Sequence, residues 1–493
     1  MYRFIFIVFL FSGLASRAQK IVLAQEERQF GRPFTKIIGR NEEGVVLVHT
    51  DNPFNNNTTQ VKLEDGKAEI TFYSNEMKKK WDVPVSIQGT AATIEHFVLS
   101  GKLLYIFYTV LNKEESRTEL YFSSMNTSDG TYKSIGNFLE FLPYDRRKNR
   151  SDFFISNSAD RKHYLTFYKI TDANSGQETF NFSVYNDSLK LSYTKKFDSP
   201  ESLLKWRIRD LLVDNEGNGF ILGAFAPNDT ENEPIKKCNI LKVSLASNEL
   251  LNFELYKDDK LISDVKFVAD NLNKRLIVCG FYSEKTSYSS AGIIYSSIDI
   301  NADSLLHNSF EPFKPKFLNE FTNERKANRG TELINYSIDN LVLRDDGGAV
   351  MLSESSYITE SSNYNSYYQV YTRTYTYHYD NVLAISINPD GKTDWEGIMR
   401  KNQVSENDNA FYSSYAFYVN EDKIHFIYNR NIRRRTDLVN FSISRKGVIS
   451  ERIVPIGNAD ILLMPKGGRQ ISANELIIPC LNNNRPNLLK LIF

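Results

Sequence analysis

Apolar and polar positions alternate along much of this chain, and short runs that are apolar on both faces interrupt the alternation. There are eight such runs, most of them about 50 to 60 residues apart, at 45–48, 103–108, 164–168, 220–222, 275–278, 349–352, 424–428 and 475–478. A strand that is apolar on both faces is typical of a sheet that is covered on both sides. The spacing therefore predicts a series of similar β-units, each with one covered strand.

The clearest unit spans 207–259 and reads as four strands separated by turns. An Asp/Asn/Gly-rich turn at 214–219 follows its first strand, as expected where the backbone must reverse. The same order of strands recurs at 33–86, 92–142, 151–200, 262–310, 335–403 and 409–454. Repeated four-stranded units of this length predict an all-β fold, a single β-propeller.

The two ends of the repeat predict how the ring closes. After residue 460 only three strands remain, at 461–464, 476–480 and 488–493, whereas 20–24 offers one more strand near the N-terminus. Pairing of these ends would remove exposed sheet edges. We therefore predict one propeller domain over 19–493 with eight four-stranded blades, the last one composite; seven blades also fit, because the first units are the faintest.

Two stretches interrupt the repeat. Residues 314–331 are charged and place Phe317, Leu318 and Phe321 at helical spacing, which predicts a short amphipathic helix or an ordered loop. Residues 353–380 form a long insert rich in Ser, Asn and Tyr, and its second half alternates with a period of two. This alternation predicts a protruding hairpin with a tyrosine face.

The first 18 residues have the pattern of a secretory signal peptide. Arg3 precedes an apolar stretch at 4–14, and Ser16 and Ala18 supply the small residues of a cleavage site. No later stretch approaches 18 consecutive apolar residues, so the sequence predicts no integral membrane segment after signal removal. The expected location is exported: periplasmic, outer-membrane-associated or extracellular.

Charge and cysteine content exclude some functions. Lys plus Arg and Asp plus Glu number 60 each, and removal of Arg3 and Arg17 with the signal leaves 58 against 60, a net charge of −2. A nucleic-acid-binding domain needs a basic face, so no nucleic acid is expected as a partner. The three cysteines fit neither a disulfide framework nor a zinc site, and no metal or other cofactor is predicted.

Linear catalytic motifs are absent. The chain has neither a His-Glu-x-x-His helix nor a Gly-x-Ser-x-Gly elbow. The glycines at 39–44 have phosphate-loop spacing, but Val45 and Val46 follow where Lys and Ser/Thr are needed, so we interpret this segment as a hairpin turn. The sequence therefore identifies no catalytic residue, and enzymatic activity stays uncertain, with a binding role favoured.

The tyrosine-rich insert is the one positive indication of function. Tyrosine rings offer a large contact area at low entropic cost and are enriched at interfaces. The candidate ligand-binding residues are Tyr367, Tyr368, Tyr371, Tyr375, Tyr377, His378 and Tyr379. His378 is the histidine that the sequence places in an exposed position. The alternative is that these rings pack against a neighbouring blade and stabilise the insert.

The C-terminal third resembles a group of proteins without an established activity. The stretches 343–352 and 385–392, together with Trp395 and 470–476, resemble uncharacterised secreted propeller-like proteins of Gram-negative bacteria. The resemblance implies export and a repeat fold, and it brings no activity, cofactor or site residue.

Three functional hypotheses follow, of which the third is a structural component of the envelope without a small ligand. The first is a secreted or cell-envelope propeller that acts as an interaction or ligand-binding module, with an unknown protein or glycan partner. The second is a carbohydrate-active enzyme with its site at the mouth of the propeller channel, since propeller enzymes gather acids and bases from different blades. Charged groups that converge in one concave site would favour the second hypothesis.

Overall fold

The computed structural model describes residues 20–25, 34–54, 60–64, 67–143, 153–172, 175–199, 206–225, 235, 237–257, 260–286, 288–365, 367, 370–432, 436–456 and 460–493. The predicted signal peptide, 1–18, lies outside these ranges. Strands dominate the described residues, and the few helical segments are α1 (Pro315–Leu318), α2 (Glu324–Ala327) and a 3-10 turn at Pro465–Gly467. The protein is therefore all-β, as predicted.

The strands follow one another in antiparallel order along the chain. The first part contains β1 (Lys20–Leu23), β2 (Phe34–Arg40), β3 (Gly44–Thr50), β4 (Val61–Glu64), β5 (Ala68–Ser74), β6 (Lys79–Pro84), β7 (Ala91–Ser100), β8 (Leu103–Asn112), β9 (Arg117–Asn126) and β10 (Tyr132–Pro143). The middle contains β11 (Phe154–Asn157), β12 (Tyr164–Thr171), β13 (Glu178–Tyr185), β14 (Leu191–Asp198), β15 (Trp206–Val213), β16 (Gly219–Phe225), β17 (Cys238–Val243), β18 (Leu251–Leu255), β19 (Leu261–Asp270), β20 (Arg275–Ser283), β21 (Ser289–Ser290), β22 (Gly292–Asp299) and β23 (Ser304–Pro312). The last part contains β24 (Leu333–Ile334), β25 (Tyr336–Leu343), β26 (Ala349–Asn365), β27 (Val370–Ile387), β28 (Thr393–Met399), β29 (Gln403–Glu406), β30 (Ala416–Val419), β31 (Lys423–Asn429), β32 (Leu438–Ser444), β33 (Ile449–Ile453), β34 (Ile461–Leu463), β35 (Arg469–Ser472), β36 (Glu475–Asn482) and β37 (Arg485–Ile492).

These strands form eight larger sheets within the described residues. In chain order they are β2-β3-β5-β6, β7-β8-β9-β10, β11-β12-β13-β14, β15-β16-β17-β18, β19-β20-β22-β23, β25-β26-β27-β28, β30-β31-β32-β33, and a last sheet in which β36 is flanked by β34 and β35 on one edge and by β37 and then β1 on the other. We refer to them as the first to the eighth sheet. The sequence missed β4, which extends the second sheet, and β29, which pairs with β27.

Each sheet packs on the next through buried apolar side chains. Strand β8 shows why its sequence is apolar on both faces: Ile106 and Tyr108 face the first sheet, whereas Phe107 packs on Tyr164 of the third sheet. Similar clusters join the remaining consecutive sheets, and one cluster joins Ile477 of the eighth sheet to Leu47 of the first. This arrangement of meandering sheets around a common centre is that of a β-propeller.

The first strand of each of the first seven sheets lies innermost, and in the eighth sheet β35 takes this position. Strands β2, β7, β11, β15, β19 and β25 contact one another in succession, and β35 contacts β2. These strands begin at the propeller face that carries the long connections, including the segment with α1 and α2 at 313–335, and they end at a face of tight turns. The face with the long connections, which we call the loop face, is therefore where the fold has room for a functional site.

Candidate functional site

The predicted insert forms a two-stranded hairpin that extends from the loop face. Strands β26 and β27 leave the sixth sheet together, and cross-strand pairs continue from Ser356↔Tyr379 to Asn365↔Val370. Because side chains alternate along a strand, Tyr371, Tyr375 and Tyr377 share one face, which we call the tyrosine face. The alternation in the sequence thus predicted both the hairpin and its tyrosine face.

Three rings at the far end of the hairpin are open to solvent: those of Tyr364, Tyr367 and Tyr371. The exposed fractions of Tyr367 and Tyr371 are 86% and 70%. Tyr364 and Tyr371 are paired across the two strands, with ring centroids 4.8 Å apart. Tyr368, another predicted binding residue, lies outside the described residues. This end of the hairpin is therefore available for contact with a partner.

His378 lies in the hairpin, as predicted, but its side chain is less exposed than the sequence predicted. It points to the opposite face of the hairpin from Tyr377 and Tyr379, and its ring stacks on Tyr357 with a centroid distance of 4.4 Å and an interplanar angle of 7°. The side chain is half-buried. The prediction that His378 is exposed was wrong, because the cross-strand neighbour covers its ring.

The base of the hairpin is held by strand β29. Gln403 to Glu406 pair with Thr376 to Tyr379, and the Tyr377 hydroxyl donates to Asn409 Oδ1 at 3.1 Å. The Tyr375 amide donates to Asn407 Oδ1 at 3.0 Å. The self-packing alternative therefore describes the base, whereas the far end is exposed.

Tyr379 connects the hairpin to the centre of the loop face. The Lys466 ammonium lies 4.1 Å from the Tyr379 ring centroid and donates to its hydroxyl at 2.5 Å. The Lys401 ammonium donates to the Tyr379 carbonyl at 3.0 Å. Sequence analysis found Tyr379 but not these two lysines, which are distant from it along the chain.

A buried ion pair lies below Tyr379. Lys401 Nζ is 2.6 Å from Glu354 Oε1, and the side chains are only 2% and 3% exposed. Ser414 Oγ donates to Glu354 Oε2 at 2.5 Å, and Lys401 also donates to Gln403 at 2.9 Å. Burial lowers the pKa of Lys401, while the nearby carboxylate of Glu354 opposes this shift.

Asp339 lies within electrostatic range of both members of this ion pair. It is the extra residue of a β-bulge in β25, and its Oδ2 accepts from the buried Tyr415 hydroxyl at 2.7 Å. Burial, followed by repulsion from Glu354, raises the pKa of Asp339 to about 7, against opposing effects of the Tyr415 hydrogen bond and of Lys266 and Lys466. A carboxyl that titrates near neutral pH is suited to proton transfer. We call Asp339, Glu354, Lys401 and Tyr415 the carboxyl cluster.

Two more carboxylates lie on the adjacent inner strands. Asp264 Oδ2 accepts from the Ile338 amide at 2.7 Å, and Asp210 Oδ1 accepts from the Leu211 amide at 2.8 Å. Burial raises the pKa of both carboxyls, and Lys266 opposes this shift in both. Bulges interrupt β15 and β19 beside these residues, as in β25. Bulges redirect side chains, which brings charge to the propeller axis.

Sequence analysis did not predict the carboxyl cluster. Its members come from β25, β26 and the segments that follow β28 and β29. No short motif therefore contains them. The available signal was weak: Asp339 and Glu354 are charged residues within otherwise apolar or neutral strand segments. Only the bulge and the contact between the sixth and seventh sheets bring them together.

A separate cleft of about 420 Å³ opens between the turns of the sixth and seventh sheets, on the opposite face. Trp395 forms one wall, with its indole N–H donating to the Arg445 carbonyl at 3.0 Å. Arg344 is already bonded to Asp346 and Asp394. The charge of Arg344 is thus already paired within the protein.

Two kinds of feature are absent from the described residues. No group of three or more His, Cys, Asp or Glu side chains that could hold a metal ion occurs there. None of the helices described there combines the length and the apolar character that crossing a membrane requires.

Comparison with known proteins finds only distant structural likenesses. The chain is similar to the WD40 domain of SCAP from fission yeast (TM-score 0.41, 8% identity, covering 96% of this chain and 94% of that one). It is also similar to the β-propeller domain of the Trilobed protease from Pyrococcus furiosus (TM-score 0.34, 12% identity, 81% and 93% covered) and to the α-L-arabinofuranosidase Arb93A from Fusarium graminearum (TM-score 0.33, 8% identity, 69% and 92% covered). No family model and no curated protein matches the chain.

Proposed function

We propose that the chain is an exported, eight-bladed propeller that binds a partner through the exposed tyrosine face of its hairpin. Export is supported by the pattern of residues 1–18, with the mature chain beginning at Gln19. A periplasmic, outer-membrane-associated or extracellular location follows from this. N-terminal sequencing of the protein recovered from its host would identify the cleavage site.

The count of eight blades and the closure of the ring are supported by the contacts of the two chain ends. Strand β1 pairs with β37 in the register Lys20↔Ile492 to Leu23↔Leu489. Arg40 of the first sheet forms an ion pair of 2.5 Å with Glu475 of the eighth. The Arg40–Glu475 pair and the apolar cluster that contains Leu47 and Ile477 therefore join the last sheet to the first.

A binding role is supported by the exposure of the tyrosine face on a supported hairpin. Its rings extend beyond the sheets, and β29 fixes the base, so little ordering of the backbone is needed on binding. Tyrosine supplies contact area for a protein surface and for the apolar face of a sugar. We propose a protein or glycan of the cell envelope as the partner.

The triple variant Tyr364→Ser, Tyr367→Ser, Tyr371→Ser tests this role. Two probes are used: an array of neutral oligosaccharides and an immobilised envelope fraction of the host. We expect the native protein to bind at least one of the two probes. The triple variant should bind that probe at least tenfold more weakly. The matched control, Asn363→Ala with Thr372→Ala, changes the other face of the same hairpin and should bind normally. Equal binding by all three proteins would refute the role of the tyrosine face.

The carboxyl cluster supports a second candidate function, hydrolysis at the channel mouth. The observation in its favour is the near-neutral pKa of Asp339 beside Glu354, Lys401 and Tyr415. A carboxylic acid in this range can donate a proton to a leaving group. We propose a carbohydrate as the substrate of this candidate, in keeping with the polar, partly aromatic surroundings.

A panel of chromogenic aryl glycosides tests the second candidate. We expect the native protein to release the aryl group and Asp339→Asn to lower the rate by roughly 100-fold or more. Asp422→Asn, in an exposed turn, serves as the control. No release from any glycoside, or an unchanged rate in Asp339→Asn, would exclude hydrolysis of these substrates by the cluster.

A further inference from the structure

A second group of charges lies across the propeller axis from the carboxyl cluster, and it is basic. Arg469 is the first residue of β35, the inner strand of the eighth sheet. Its Nη1 donates to the carbonyl of Ile37 at 3.1 Å. Ile37 belongs to β2, the inner strand of the first sheet, so the guanidinium bridges two inner strands at the axis.

Arg161 reaches the same region from the third sheet. It lies in the turn between β11 and β12, and its Nη1 donates to the Leu99 carbonyl of β7 at 2.5 Å. Its Nη2 lies 4.0 Å from the position that a Cβ atom would occupy at Gly39 of β2. The backbone of Arg161 has a φ of 61°, which is uncommon for a long side chain. Such outliers concentrate at functional sites.

The cations of this group lie close enough to repel one another. Besides burial, Arg161 lowers the pKa of Arg469, and Arg469 lowers the pKa of His96. Burial and Arg469 together lower the pKa of Lys36 to about 8. Within the part of the chain that the structure describes, no carboxylate opposes the lowering of the pKa of Arg469. Four basic groups from the first, second, third and eighth sheets thus converge. We call Lys36, His96, Arg161 and Arg469 the basic cluster.

Most donors of the two guanidiniums remain available. A guanidinium has five N–H groups. Within the described part of the chain, Arg161 and Arg469 each use one nitrogen to bond a backbone carbonyl, which fixes their position. The carboxylate next to His96, Glu95, is engaged by Gln60 at 2.6 Å and Thr109 at 2.7 Å. The remaining N–H groups can thus donate to a ligand.

We propose that the basic cluster is a binding site for an oxyanion inside the channel, a phosphate, sulfate or carboxylate group. Paired arginines match the geometry of such groups, because each guanidinium can donate two parallel hydrogen bonds. The anion would also relieve the repulsion that Arg469 experiences from Arg161 and Lys36, and it would favour protonation of His96. This site is separate from the tyrosine face and does not depend on the function proposed for the hairpin.

Titration of the native protein with sodium phosphate, sodium sulfate, sodium acetate and sodium glucuronate, at constant ionic strength set with NaCl, tests the site. We expect at least one anion to raise the melting temperature in a saturable manner and to raise the pKa of His96, followed by NMR. Preference for phosphate and sulfate over acetate and glucuronate would identify a tetrahedral anion; the reverse order would identify a carboxylate.

Two variants locate the bound anion. Arg469→Gln should weaken binding at least tenfold, and Arg469→Lys should retain part of the affinity. Arg400→Gln, an exposed arginine that is paired with Glu320, is the matched control and should bind normally.

If the native protein shows no saturable effect beyond NaCl, or if Arg469→Gln binds as the native protein does, the proposal is wrong. The NMR titration of native His96 needs no variant, so misfolding of Arg469→Gln would not prevent a decision.

Discussion

Asp339 illustrates how one inserted residue changes the chemistry of an inner strand. In β25 the register with β26 shifts between Ile338 and Asn340, and Asp339 occupies the bulge. Its carboxyl then meets the Tyr415 hydroxyl of the next sheet and comes within electrostatic range of Glu354. Without the bulge, the alternation of the strand would direct the side chain differently. The perturbed pKa is thus a consequence of local backbone geometry.

At this scale we predict that Asp339→Asn stabilises the protein above pH 7 and has little effect near pH 4. The pKa of Asp339 is about 7 in the folded protein, compared with the ordinary value of 3.8. Between these values the folded state holds a proton that the unfolded state has lost, so this group makes the free energy of unfolding fall as the pH rises. Asparagine removes this dependence, a gain of up to about 4 kcal/mol at pH 8, since each pKa unit corresponds to about 1.4 kcal/mol.

Urea unfolding of both proteins at pH 4, 6 and 8 measures this difference. Asp422→Asn should show no such increase in relative stability with pH. Parallel pH profiles for native protein and Asp339→Asn would contradict the prediction and would mean that Asp339 is ionised throughout this range.

At the scale of elements, the β26–β27 hairpin combines a base that other segments hold with a far end whose rings are open to solvent. The ion pair between Arg373 and Glu360, 3.5 Å, and the Tyr364–Tyr371 contact both lie within the hairpin. By contrast, Tyr377 and Tyr379 at the base bond to other segments. The base of the hairpin therefore contributes to stability, and the partner contact that we propose falls on the far end.

We predict that the far end can be removed without loss of stability. Glu360 and Tyr375 are directly opposite each other, so an Asn-Gly turn can join them and replace residues 361–374. The free energy of unfolding should change by less than about 0.5 kcal/mol, as for surface changes away from a core. Binding to the partner should nevertheless be lost.

Thermal and urea unfolding check this prediction, with Tyr379→Ala as a comparison because its ring contacts Lys466 at the base. We expect Tyr379→Ala to be the less stable of the two variants. A shortened hairpin that destabilises the protein by several kcal/mol would instead show that the far end packs on the propeller.

At the scale of the whole molecule, the strand nearest the N-terminus completes the sheet nearest the C-terminus. Strand β1 covers the outer edge of β37, and Ile21 and Leu23 pack against the core cluster between the seventh and eighth sheets. Ala24 and Val22 belong to the cluster between the eighth and first sheets. Four residues thus contribute to two interfaces.

We predict that deletion of residues 20–23 destabilises the protein by at least about 3 kcal/mol, since several apolar side chains leave the core. The exposed edge of β37 should also make the protein associate in a concentration-dependent manner. Urea unfolding and size-exclusion chromatography at several concentrations measure both effects. Lys20→Ser, which alters only an exposed side chain of β1, should match the native protein. A stable, monomeric deletion variant would argue against closure of the ring by β1.

The sequence by itself determined the repeating strands, the pairing of the two ends and the alternating hairpin. Each of these features follows from local periodicity, which records whether a side chain is covered on one face or on two. Tertiary structure alone decided the rest. The register shift at Asp339 and the support of Tyr377 by β29 depend on pairing between distant segments of the sixth sheet, and Arg161 and Arg469 converge from the third and eighth sheets. Chemistry at the axis of a ring depends on which sheets become neighbours and where their strands bulge, and a linear pattern of apolar positions carries neither kind of information.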